Sequence, residues 1–159
     1  MIEQLTKHET TSPVFLPHIT LLHPISKSVP VDEITSLLSQ CVQEASLKDN
    51  QLSLSLQPAQ AGTHYYQSVL APVSSDGALS RLREVCEKAF KLEGKGLYFP
   101  HLSLLYGDLE QVRRDELAHV VNEEMTLASN VEIEDIAVVD CTGTTDQWKT
   151  VATVSLSGK

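Results

Sequence analysis

The sequence predicts an α+β protein in which antiparallel strands and flanking helices are laid out twice. Three observations carry that prediction. Apolar residues alternate with polar ones in several short runs separated by turn formers, the pattern of half-buried antiparallel strands. Helical stripes of period 3.6 fall between those runs. Finally, Leu16-Pro-His-Ile-Thr-Leu-Leu-His-Pro24 is echoed by Phe99-Pro-His-Leu-Ser-Leu-Leu-Tyr-Gly107, with His18 and His101 set 83 positions apart.

Taken in order, residues 1–13 offer a short amphipathic piece (Ile2, Leu5) and then a Thr/Ser/Pro turn signal. A strand is expected from Val14 to Leu22, closed by Pro24. Ser28 to Pro30 opens a helix whose stripe is Val31, Ile34, Leu37, Leu38, Cys41, Val42 and Ala45. Leu52, Leu54 and Leu56 alternate with polar residues as a second strand, and His64 to Pro72 reads as its hairpin partner. Ser74 or Ser75 caps a helix carrying Leu79, Leu82, Val85, Cys86, Ala89 and Phe90, ended by Gly94 and Gly96.

The second motif strand runs from about Tyr98 to Tyr106. A polar helix from about Glu110 to Glu124 follows, packing through Val112, Leu117, Val120 and Val121. Val131 to Val139 and Trp148 to Leu156 make the last two strands, joined by a turn-rich loop at Cys141–Asp146. Shifting the first hairpin by the motif spacing lands it in this final pair. The expected architecture is therefore bilobal and pseudo-twofold, with two antiparallel sheets and the histidine strands facing each other across a central cleft.

Bulk properties narrow the function. The 159 residues suit one domain, here expected to be a single bilobal one spanning 1–159. No apolar run approaches the ~20 residues of a membrane span, and the N-terminus lacks the apolar core of a secretory signal. Cys41, Cys86 and Cys141 are few and scattered, which suits reduced thiols in a cytoplasmic or nuclear setting. With 12 basic against 21 acidic residues and a net charge of −9, a grip on long RNA or DNA is disfavoured. A small phosphate ligand, no membrane partner and a monomer are the expectation.

A lone histidine at a strand start is more often structural than catalytic, and His8, His64 and His119 receive that reading. His23 is one parity off His18 and should face the other way. The repeated Pro-His-x-hydroxyl unit is different, because structural need does not explain its recurrence. Side chains two apart on a strand share a face, so His18 joins Thr20 and His101 joins Ser103. Two imidazoles flanking a phosphate can serve as base and acid near neutral pH. The two hydroxyls can donate to non-bridging oxygens. No metal or other cofactor is called for, and the His-Glu-x-x-His spacing of a metal hydrolase is missing.

These two motifs resemble those of the 2H phosphoesterase superfamily. The second, with Tyr106 and Gly107, is most similar to the fungal and plant 2′,3′-cyclic-nucleotide 3′-phosphodiesterase (cyclic phosphodiesterase) branch, as is the tail from Asp140 to Leu156. The resemblance implies hydrolysis of nucleoside 2′,3′-cyclic phosphates to 2′-phosphates. It also implies hydrolysis of ADP-ribose 1″,2″-cyclic phosphate, a by-product downstream of tRNA splicing, to the 1″-phosphate. It assigns His18 and His101 as the acid/base pair, Thr20 and Ser103 as phosphate holders, and Tyr106 as a substrate contact. Strict alternation sets Tyr106 opposite His101, so that role requires the strand to twist or end near Gly107. The family usually begins with a strand and a helix before its first motif. Only 17 residues precede His18, so those elements are expected to be absent. Alternative readings are a 2H enzyme acting on RNA termini and a non-catalytic phosphate-binding module.

Overall fold

A computed structural model describes residues 2–9, 11–47, 51–74, 77–94 and 97–157. Among these residues the chain forms four α-helices and seven strands, besides short 3₁₀ turns. In order they are α1 (Ile2–His8), α2 (Val31–Ala45), β1 (Leu52–Ser55), β2 (Gln60–Ala61), β3 (Val69–Pro72), α3 (Gly77–Ala89), β4 (His101–Leu105), α4 (Gln111–Glu124), β5 (Asn130–Ile133), β6 (Asp135–Asp140) and β7 (Lys149–Ser155). The described strand pairs whose register is defined are antiparallel, so the mixed α+β class predicted from the sequence holds. Among the described residues no helix is long and apolar enough to cross a membrane.

The chain divides into two compact units, each assembled from three separate segments. The first comprises Met1–Thr20, Ser55–Ser74 and Phe99–Val131. Its sheet has the order β2-β3-β4, with Leu70 opposite Ser103 and Pro72 opposite His101. Leu5, Val69, Ala71, Leu104, Leu105, Leu117 and Val121 pack together as its core. α1 supplies the fully buried Leu5. Its last turn is held to α4 by Arg113, whose Nη2 donates to the His8 carbonyl at 2.6 Å. His8 therefore sits at a helix end.

The second unit comprises Leu21–Leu54, Ser75–Tyr98 and Glu132–Lys159. α2 packs on α3 and on β7, burying Ile34, Leu38, Cys41, Val42 and Ala45 of the expected stripe, while Val31 at its first position is exposed and Leu37 is half-buried. α3 contributes Leu79, Leu82 and Cys86. Burial of the Cys86 and Cys41 thiols pushes both above the ordinary thiol range. Arg83 ties this unit together: it donates to the Leu21 carbonyl, pairs with Glu87 at 2.6 Å and lies 4.1 Å over the Tyr98 ring.

Several expected elements take another form. The strand expected over Val14–Leu22 reduces to one antiparallel bridge, Ile19 to Leu102. Pro13 and Pro17 have no N–H to donate, which prevents a continuous ladder there. The segment His64–Pro72 is not the hairpin partner of β1. Tyr65–Gln67 is a 3₁₀ turn, and β3 pairs with β2 and β4, touching the β1 side only through the bridge Leu56–Val73. β1 instead pairs with β5.

The expected strand Val131–Val139 is split at Glu134 into β5 and β6, because only the latter part pairs with β7. Val112 is 71% exposed and does not serve α4 packing; Arg114, Leu117, Ala118 and Val121 do. The proposed caps at Ser75 and Gly96 fall outside the described residues.

Candidate active site

Both histidines of the repeated motif lie in the first unit, on segments that touch through backbone. The Ile19–Leu102 bridge is flanked by a bond from the Ser103 N–H to the His18 carbonyl at 3.3 Å. Stepping one residue to either side of that antiparallel bridge sets His18 opposite Ser103 and Thr20 opposite His101. Opposed residues on antiparallel strands share a face, and so do residues two apart. All four side chains therefore occupy one face, while Leu102 on the other face packs on the core. The sequence reading expected one motif strand in each lobe, and the two segments instead belong to the same unit.

Each motif orients its imidazole by the same local device. His18 Nδ1 lies 2.7 Å from the Leu16 carbonyl oxygen, and His101 Nδ1 lies 2.8 Å from that of Phe99. A carbonyl can only accept, so in each ring Nδ1 carries the proton and donates. The proline between explains the geometry. It fixes its own φ and forces the residue before it into an extended conformation, which points the i−2 carbonyl at the ring. Nε2 is thereby left as the acceptor nitrogen of each neutral ring. Neither ring has a carboxylate partner among the described residues.

Beyond this shared device the two histidines differ. Tyr106 sits one residue past the end of β4, so strand alternation does not govern it. It is only 3% exposed, and its hydroxyl lies 2.9 Å from His18 Nε2. Phe15 stacks on the Tyr106 ring at 4.0 Å with a 13° interplanar angle, and meets His18 edge-on at 5.7 Å. His101 is covered by Phe99, with ring centroids 5.6 Å apart and planes at 29°.

Both rings are half-buried and Thr20 is exposed. Ser103 is 3% exposed and its hydroxyl makes no hydrogen bond among the described residues. It is also not one of the fully enclosed, unpartnered polar atoms, so it keeps a path to solvent.

Sequence reasoning passed over Phe15, Tyr65 and Tyr66. The turn Tyr65–Gln67 sets Tyr66 edge-on to Tyr106 at 5.3 Å, and its carbonyl at Tyr65 accepts the Gly107 N–H at 3.0 Å. Tyr65 and Tyr66 remain 41% and 55% exposed. Adjacent tyrosines in a segment otherwise short of aromatics were the available signal. His8, His23, His64 and His119 are exposed and carry no ring hydrogen bond among the described residues.

The arrangement offers two imidazoles and two hydroxyls on one strand face, bordered by aromatic rings. Comparison with known proteins agrees with that chemistry. A family model described as cyclic phosphodiesterase-like protein matches residues 1–156. The Cyclic phosphodiesterase of Arabidopsis thaliana is 26% identical over 160 residues, a span covering 95% of this chain and 83% of that protein. A match of that extent decides membership: the chain belongs to the cyclic phosphodiesterase-like family, hydrolases of the 2H phosphoesterase superfamily.

Proposed function

We propose that this protein hydrolyses small cyclic phosphate diesters, with His18 and His101 as the acid/base pair and Thr20 and Ser103 holding the phosphate. The observation that carries the reading is the paired Nδ1–carbonyl bond, 2.7 Å at His18 and 2.8 Å at His101, on segments bridged at Ile19–Leu102. It leaves Nε2 as the acceptor of each neutral ring, that of His18 resting on the Tyr106 hydroxyl at 2.9 Å. One Nε2 takes a proton from water as the water oxygen bonds to phosphorus. The other gives its proton to the ester oxygen that departs as its bond to phosphorus breaks. The ring opens to a monoester, and both histidines return to their starting states by proton exchange with solvent. Thr20 and Ser103 donate to the non-bridging oxygens, where negative charge is held through the transition state.

The substrates that fit are nucleoside 2′,3′-cyclic phosphates, opened at the 3′ oxygen to leave 2′-phosphates. ADP-ribose 1″,2″-cyclic phosphate, opened to the 1″-phosphate, fits equally and would link the enzyme to by-products of tRNA splicing. Exposed Tyr65, Tyr66 and Phe99 support a nucleotide over a bare cyclic phosphate, since exposed aromatic faces stack on bases. The name of the Arabidopsis relative supports the reaction class.

The test is turnover of both substrates by the wild type and by His18→Ala and His101→Ala. Each variant should lose on the order of 10²–10⁴-fold in kcat, with an unchanged circular-dichroism spectrum and with wild-type turnover persisting in excess chelator. Turnover surviving either substitution rejects the two-histidine mechanism. Tight binding of a nucleoside 2′-phosphate with no turnover of the cyclic ester would make the protein a binding module instead.

A further inference from the structure

The motifs are chemically equivalent in sequence, but the structure makes the two histidines unequal. His18 is held at both ring nitrogens, by the Leu16 carbonyl at Nδ1 and by the Tyr106 hydroxyl at Nε2. His101 is held only at Nδ1 among the described residues, and a phenyl ring lies nearly parallel to it. Because Nδ1 of His18 already donates its proton, the neutral ring presents a lone pair at Nε2. A phenol is a good donor and a poor acceptor, its oxygen lone pair being shared with the ring, whereas imidazole nitrogen is a strong acceptor. The arrangement that suits both partners is Tyr106 donating to neutral His18.

Resting on the proposed two-histidine hydrolysis, we infer that Tyr106 is a positioning residue for His18 rather than a substrate contact, and that it makes His18 the general base and His101 the general acid. Tyr106 is packed in place beside His18, only 3% exposed. Its place is fixed by the Phe15 stack on one face and the Tyr66 edge. The hydroxyl keeps Nε2 directed and unprotonated until water takes its place on the nitrogen. Among the described residues, the titratable side chains around His18 are Tyr106, His101 on the same strand face, and, behind Tyr106, Tyr65 and Tyr66 at 6.4 and 5.3 Å from its ring. Phe15 brings no charge.

Tyr106→Phe keeps the stacked ring and removes only the hydroxyl. In the free protein, ring ¹⁵N spectra of the wild type should show His18 as the Nδ1–H tautomer with a hydrogen-bonded, unprotonated Nε2. In the variant that Nε2 signature should vanish while the His101 signals stay. In kinetics, kcat should change by no more than about ten-fold in either direction, the worth of one hydrogen bond, at unchanged KM. Removing a donor that favours the neutral base should move the acidic limb of the kcat/KM profile to higher pH and leave the basic limb in place.

A raised KM with both limbs fixed and His18 resonances unchanged would return Tyr106 to the substrate. Movement of the basic limb instead would reverse the acid and base. The spectra need no turnover, so wild-type His18 lacking a bonded Nε2 overturns the inference even if the hydrolysis stands. A protein that shows the bond but hydrolyses no cyclic phosphate overturns the proposed function and the base assignment with it.

Discussion

At the residue scale, the Pro-His pair explains why so short a motif is informative. Proline is poor in a strand, yet here it sets the carbonyl that fixes the imidazole tautomer, twice. The hydroxyl two residues on shares the face by strand periodicity alone. The cysteines show the opposite case, in which environment and not motif decides behaviour. Cys41 and Cys86 are 2% and 0% exposed, and burial is the main reason their thiols resist ionisation. Cys141 is exposed, and its thiol is raised first by partial desolvation and then by Asp140. A disulfide exchange reagent at pH 8 should therefore label one thiol in the native protein, and three after denaturation. Rapid native labelling of Cys41 or Cys86 would contradict the packing of α2 on α3.

At the element scale, the turn between β2 and β3 deserves a direct probe because it carries Tyr65 and Tyr66. Gly62 opens it, and a Cβ added there would lie 1.8 Å from the Gln67 carbonyl oxygen. That oxygen is backbone, so the clash cannot be relieved by a rotamer change. Gly62→Ala should force the turn outward, destabilise the protein by ~1–3 kcal/mol as overpacking does, and raise KM for nucleotides more than it lowers kcat. An unchanged melting temperature and KM would mean the turn adapts and the tyrosines are not substrate contacts. The helices were the most legible elements: the stripe from Ile34 to Ala45 is buried as its period dictates. The strands were less so. Val14–Leu22 has the composition of a strand, but its prolines leave a single bridge. α4 has too little apolar periodicity to reveal that Arg114 faces inward and Val112 outward.

At the scale of the whole molecule, each unit draws on three separated stretches of chain, so neither is a removable piece. The unit that holds both histidines needs Phe99–Val131 as much as Met1–Thr20. The net charge of −9 acts at this scale too. A surface with so few cations gains little from releasing the counterions of a polymer. Long RNA without a cyclic end should compete weakly with a cyclic mononucleotide at 0.1 M salt. Strong competition there would favour an enzyme acting on RNA termini.

By itself the sequence determined which chemical groups this protein brings to its task. Two Pro-His-x-hydroxyl segments, a net acidic surface and amphipathic helices are local or additive properties, readable from residue type and spacing. Only the tertiary structure decided how those groups meet. The Ile19–Leu102 bridge, which sets His18, Thr20, His101 and Ser103 on one face, joins residues 83 apart by backbone groups that every residue type carries. Tyr106 reaches His18 across 88 positions because β4 ends before it and Phe15 packs on its ring. No periodicity encodes such a contact, since it depends on where a strand stops and what its end packs against. The two motifs are equivalents in the chain, and the fold makes them different.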